Sequence, residues 1–284
     1  MKNKLFAAAA VISIFVVTSC DNKNLFGKFH KAGSSSSVEV LLSDANAALA
    51  NDNPAEAKAI ADKILINNPN NSEALYISAA AGLKEAGFDV AGIITSVIGS
   101  TSTADADSLL ESFANLDINA IAKAISKSVE QLKQIADGNT DGVISYKDID
   151  VNLNLGILEV LDAVLNIIDF NDNYVILNDT SDVVNVDDNY NVTVKVGTGP
   201  YKSVGDLTDA DIVQLKNDYG DDLANKVNDS IAQVETAVAH FTTAADGIGG
   251  DGSSTMNDLK NTVNNDLKSA LDDFYSKLTS TSTP

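Results

Sequence analysis

The sequence predicts a mainly α protein: repeat-like helical hairpins, then a helix-loop-helix, then a long antiparallel helix pair, with a small β-hairpin inserted before the pair. Three observations predict it. Apolar residues recur at spacings of three and four through most of the chain after Val38. Ser, Thr and Asn stand where these stripes begin, as helix-capping residues do. By contrast, the valines between Val183 and Val196 alternate with polar residues, the period of a half-buried strand.

Charge removes whole classes of function. The 284 residues contain 40 Asp and Glu against 19 basic residues, a net charge of −21, and every basic residue is Lys. Such a chain is badly suited to a nucleic-acid backbone, which is held by cations and best by the planar Arg fork. An anionic lipid surface repels it for the same reason. Hydrophobic residues make up 44% of the chain, enough to build a core. Two histidines and one cysteine leave little material for most zinc sites or for Cys/His and Ser/His catalysis.

Residues 1–19 have the form of a secretory leader. Lys2 and Lys4 precede an apolar run from Leu5 to Val17, which is too short to span a bilayer. Val17-Thr18-Ser19-Cys20 resembles a bacterial lipobox. The resemblance implies cleavage before Cys20 and acylation of its thiol, so a diacyl or triacyl anchor holds the chain to the membrane. Losing Lys2 and Lys4 takes the charge from −21 to −23, and no thiol is left for a disulfide. Residues 20–37, with their Ser34–Ser37 run, read as a flexible tether, and His30 lies in it without a ligand-like neighbour. The expected location is the bacterial cell envelope, on the periplasmic face or the cell surface.

Residues 38–100 read as helical hairpins. Val40, Leu41, Ala45, Ala48 and Leu49 form one apolar face. Asn53-Pro54 starts a second helix carrying Ala57, Ile60, Ala61, Ile64 and Leu65. Asn67-Asn68-Pro69-Asn70-Asn71 breaks it, and Ser72 is placed to cap a third helix that Gly87 ends. Val90–Ile98 is expected to form a fourth. Ala57, Pro69 and the junction NPNNSEALY resemble a tetratricopeptide repeat, although Leu42 and Asn46 replace the large aromatic and the glycine of its first helix. The resemblance implies a surface for a protein or peptide partner on helices 38–100.

The sharpest motif lies within residues 101–170. Ile118, Ile121, Ile125, Val129, Leu132 and Ile135 predict an amphipathic helix ending near Ala136. The loop DGNTDGVISYKD follows at 137–148, and it resembles an EF-hand calcium loop at each position. Asp137, Asn139 and Asp141 supply side-chain oxygens, Val143 a backbone carbonyl, Ser145 a contact through water, and Asp148 the closing carboxylate. Gly142 stands at the sharp turn, and Ile144 at the position that anchors the loop to the core. Such oxygens suit a hard cation, so the expected cofactor is calcium. Asp148 is one methylene shorter than the usual Glu, which predicts a weaker site that tolerates magnesium.

A partner loop could start at Asp169, 32 residues after Asp137. It keeps oxygen donors at its first, third and fifth positions and Ile176 at its eighth. Tyr174 and Thr180 replace the glycine and the closing acid. The alternative is a single hand. The Asp at the twelfth position is also similar to a dockerin loop, which requires a second repeat.

Residues 171–205 predict two short strands around Asp187-Asp188-Asn189. An isolated hairpin is marginal, so it must pack on helices. The run Gly197–Ser203 lacks the spacing of a phosphate loop. Within 206–284, Thr208 and Asp211 form a capping box for a long helix with a stripe from Ile212 to Phe241, about eight turns. His240 beside that stripe is expected to be a surface residue. After the glycine-rich turn 247–254, Met256 to Leu278 predict the last helix, packed antiparallel on the one before. No nucleophile elbow, HExxH or dinucleotide fingerprint occurs, so no catalytic residues are expected. The sequence thus predicts a non-enzymatic, lipid-anchored envelope protein that binds calcium for structure or regulation. The alternative is a partner-binding scaffold or transporter accessory in which calcium is incidental. No nucleic acid or nucleotide is expected as a partner.

Overall fold

The computed structural model describes residues 37–88, 118–168, 184–186, 192–248, 257, 260–261 and 263–280. Cys20 and the tether, the helix expected at Val90–Ile98, the Asp169–Thr180 loop and most of the turn 247–254 lie outside the described residues. The described chain is mainly helical with one small antiparallel sheet. Among the described residues no helix is long and apolar enough to cross a membrane.

Ser37 accepts the Val40 N–H and opens α1 (Val38–Ala50). Asn53 caps α2 (Pro54–Asn67) through the Glu56 N–H, and Pro54 takes the first helical position, where no amide hydrogen is needed. The cap of α3 (Ser72–Glu85) is Asn71, not Ser72: the Asn71 side-chain Oδ1 accepts the Ala74 N–H at 2.8 Å. Ser72 becomes the first helical residue, and its hydroxyl is free for a tertiary contact. Ala45, Ala48, Ala57, Ala61, Ala74 and Ala81 are buried where α1, α2 and α3 meet, with Leu42, Ile64 and Ile77 filling the space between. Small side chains let the three helices approach closely.

The next two helices are α4 (Ile118–Ala136) and α5 (Ile149–Ile168). The second face of α3 (Leu75, Ala79, Leu83) packs on Ile121, Ile125, Leu132 and Ile135 of α4 and on Val151, Leu155 and Leu158 of α5. Helix α3 therefore belongs to two cores, which is why so many of its residues are buried.

Three strands follow in the order β1 (Val184–Val186), β2 (Val192–Lys195) and β3 (Tyr201–Ser203), all antiparallel. Val184 pairs with Val194, and Lys195 with Tyr201. The third strand is an addition to the expected hairpin. It is formed by the Gly197–Ser203 run, where Gly197 at φ 56° turns the chain back. Val194 is fully buried against helices, the packing that a short hairpin requires.

The long helix expected from Thr208 is two helices. The Thr208–Asp211 capping box forms and opens α6 (Asp209–Tyr219). Gly220 then adopts φ 60°, a left-handed conformation that ends the helix, and α7 (Asp222–Ile248) restarts two residues later. The apolar stripe continues across this break because both helices cover one core. The last described stretch is a π-helical turn at Val263–Lys268 followed by α8 (Ser269–Thr279). Helix α7 packs on α8 but far more extensively on α5. Leu153, Ala163 and Ile167 of α5 join Val227, Val234, Phe241, Leu271 and Phe274 in one cluster. The C-terminal helices are thus not a self-contained pair, since α5 completes their core.

Candidate metal centre

Helix α4 ends in a Schellman motif. The Asn139 N–H bonds the Gln134 carbonyl at 3.1 Å, and the Gly138 N–H bonds that of Ile135 at 3.0 Å. Gly138 adopts φ 72°, as the position after such a cap requires. The loop 137–148 then runs to α5, which starts at Ile149. Ile144 packs with the α3–α4–α5 core, as its position in the motif demands. Asp137, Asn139, Asp141, Val143 and Ser145 are exposed, and Asp148 is half-buried.

The loop is docked on the α2–α3 turn. The Asp141 N–H bonds the Asn70 carbonyl at 2.7 Å, and the Asp141 carbonyl accepts the Ser72 N–H at 2.8 Å. These two bonds form a parallel β-bridge between Asn71 and Asp141. The Ser72 hydroxyl accepts the Ile144 N–H at 3.2 Å and donates to the Glu73 carboxylate at 2.7 Å. Gly142, at φ 126°, lies against both side chains, and a Cβ there would overlap the Ser72 hydroxyl and the Glu73 carboxylate. The two segments that stood out in the sequence, the NPNN junction and the DGNTDG loop, are each other's partners.

The donor set is all oxygen, the right chemistry for calcium or magnesium. Its closing member is already engaged. Asp148 caps α5, with Oδ1 accepting the Asp150 and Val151 N–H groups at 3.0 and 3.1 Å. Both of these bonds fall on the same carboxylate oxygen. The Ser145 hydroxyl accepts the Lys147 N–H at 3.2 Å. Among the described residues no three His, Cys, Asp or Glu side chains are gathered as a metal-holding group. An ion therefore has to draw Asp137, Asn139 and Asp141 together around itself.

Behind the loop runs a buried polar seam between α5 and α7. The Asn152 amide donates to the carbonyls of Tyr146 and Asp148 at 2.9 and 2.8 Å, and its oxygen lies 3.0 Å from His240 Nδ1. His240 Nε2 is 3.7 Å from Glu159 Oε1. Further along, Gln233 donates to Asp162 at 2.7 Å and accepts from Asn166 at 3.0 Å, and the Ser230 hydroxyl bonds the Ala163 carbonyl. Residues rise along α5 as they fall along α7, so the two helices are antiparallel. His240 is not the surface residue expected from its place beside the apolar stripe, because only 13% of its side chain is exposed.

Burial sets the protonation of this seam. Desolvation pushes Glu159 up to about 8, with Asp137 and Asp162 adding to the rise and Lys133 opposing it. Desolvation also raises Asp162, against the hydrogen bonds from Gln233 and Asn166. His240 is lowered by desolvation and by Lys133, with Asp137 opposing. The seam was legible in part as a spacing: Asn152, Glu159, Asp162 and Asn166 share one face of α5. Its significance was not, since dispersed acids on a helix usually face water.

Comparison of the chain with protein-family models, with curated proteins and with solved structures finds no match in any of the three.

Proposed function

We propose that this chain is a non-enzymatic, lipid-anchored protein of the bacterial envelope whose 137–148 loop binds calcium as a structural staple. The observation that carries this reading is where the loop is attached. It bonds the helical hairpins through Asn70 and Ser72, and it bonds Asn152 of α5, whose oxygen in turn faces His240 of α7. An ion held by Asp137, Asn139, Asp141, the Val143 carbonyl, Ser145 and Asp148 stiffens both attachments at once. Binding to the folded state alone raises stability with ion concentration. A closing Asp, one methylene shorter than Glu and with Oδ1 capping α5, supports a weak site in the extracellular range of about 10⁻⁴–10⁻³ M, with magnesium a competitor. The lipobox-like Val17–Cys20 and the serine-rich tether support attachment at the membrane.

A second reading is favoured by the hydrogen bonds themselves. Asp141, Ile144 and Asp148 fix the loop through hydrogen bonds to the protein itself. On that reading the chain is a partner-binding scaffold, with helices 38–100 as its working surface and calcium incidental.

Calorimetric titration of calcium, then magnesium, into the full chain separates the two. The expected result is one site, lost in Asp137→Ala/Asp141→Ala, with a melting temperature that rises in millimolar calcium. No heat and no change in melting leaves the scaffold. Acylation is tested by detergent-phase partitioning of the expressed protein, which Cys20→Ala should abolish.

A further inference from the structure

The side chains of Asn152, His240 and Glu159 form a chain in which each fixes the next. The Asn152 amide nitrogen faces two carbonyls, those of Tyr146 and Asp148, so its oxygen is the atom that faces His240. A carbonyl oxygen only accepts, so His240 Nδ1 must carry the hydrogen. In the neutral ring the lone pair is then on Nε2, which points at Glu159 Oε1 from 3.7 Å. The Glu159 side chain is 4% exposed, and its Oε2 has no hydrogen-bond partner among the described residues. Two lone pairs facing each other repel, and the burial of both side chains sharpens the repulsion. A proton on Glu159 resolves the conflict, because a carboxyl about 1 Å closer donates an O–H···N bond to the ring.

We propose that Glu159, His240 and Asn152 are a proton-operated latch that holds the 137–148 loop to α7. With Glu159 protonated, the chain of bonds runs unbroken from its carboxyl through the imidazole and the amide to the loop carbonyls. When Glu159 loses its proton to solvent, the ring proton moves from Nδ1 to Nε2 to meet the carboxylate. Nδ1 is then an acceptor facing the Asn152 oxygen. The amide must turn its NH₂ toward the ring, and the Tyr146 and Asp148 carbonyls lose their donor. The charged groups acting on the pair are Lys133 from the last turn of α4, Asp137 from the 137–148 loop and Asp162 from α5. The latch does not rest on the calcium reading.

Burial of Glu159 sets the range of operation, near pH 8. The sign follows from proton counting. Above pH 6.5 the unfolded chain holds a proton on neither group, whereas the fold keeps one on Glu159. Stability therefore falls as pH rises from about 6.5 to 8.

The test is ¹⁵N–¹H spectroscopy of the imidazole rings in the full chain, with chelator present, from pH 6 to 9. His30 serves as the internal reference. The expected result is an Nδ1–H ring at pH 6.5 that converts to Nε2–H with a midpoint near 8, together with faster exchange of loop amides. In Glu159→Gln the side chain has no proton to lose and its amide donates to Nε2 throughout, so the conversion and the decline in melting temperature should both vanish. An Nε2–H ring across the whole range in the unaltered chain, or the same conversion in the variant, would overturn the latch. The first of these outcomes is read without any variant, so it stands even if Glu159→Gln fails to fold.

Discussion

The hydroxyl of Ser72 and the backbone N–H of Ile144, 72 residues apart, are joined by a 3.2 Å hydrogen bond. The same hydroxyl donates to buried Glu73, so one small side chain ties the α2–α3 turn to the 137–148 loop. Ser72→Ala leaves an amide and a carboxylate without this partner. The expected loss is about 1–3 kcal/mol in urea unfolding. Exchange of the Ile144 amide should accelerate more than that of amides in α7.

Gly142→Ala tests the same contact from the other side. The new Cβ meets both Ser72 and Glu73, and φ 126° is a conformation that side-chain-bearing residues avoid. Overpacking and backbone strain together should cost about 2–4 kcal/mol. Ala at Gly197, also at positive φ but with open space around it, should cost clearly less, since only the strain remains. Equal losses at the two positions would remove the docking of the loop as the cause.

Asp148 and Asp137 should separate under chelation. Asp148 caps α5, so Asp148→Ala costs about 1 kcal/mol with no ion present. Asp137 is exposed, and Asp137→Ala should be near neutral in chelator. In millimolar calcium both variants should fall behind the parent chain. A cost for Asp148→Ala that appears only with calcium would mean the cap contributes nothing.

Helix α5 meets α7 closely at Gly156, where a Cβ would press into the ring of Phe241. Gly156→Ala should destabilise by about 1–3 kcal/mol. Phe241→Leu made on top of it should cost less than Phe241→Leu alone, a coupling measurable in a double-mutant cycle.

Acid should release Asp211 only well below the usual carboxylate range. Its hydrogen bond to Lys202, then those to Thr208, hold the carboxyl down at about 2. Because the folded value lies below the ordinary 3.8, the stabilisation is present above pH 3.8 and is lost as pH falls toward 2. Asp211→Asn should lower the melting temperature at pH 6, and the difference from the parent chain should shrink as pH falls from 3.8 through 2.

The elements themselves were written in local sequence. Asn53-Pro54, the Thr208–Asp211 box, the stripe Ile121–Ile135 and the valines of β1 and β2 each specify an element through contacts a few residues long, and the structure places those elements there. The loop of 137–148 was equally legible, down to the glycine that turns it and the isoleucine that anchors it. Two local signals misled. The stripe from Ile212 to Phe241 runs on through Gly220 because two helices share one core, and periodicity does not register a break that leaves the buried face in phase. Ser72 looked like a cap, yet Asn71 takes that role and leaves the hydroxyl for a residue 72 positions away. What only the tertiary structure decided is which elements meet. No spacing says that α5, rather than α8, is the main neighbour of α7, or that the loop docks on the α2–α3 turn. The same holds for His240, Glu159 and Asn152. Each is an ordinary polar residue on a helix until the antiparallel packing of α5 on α7 removes water from all three, and desolvation then sets which of them keeps a proton.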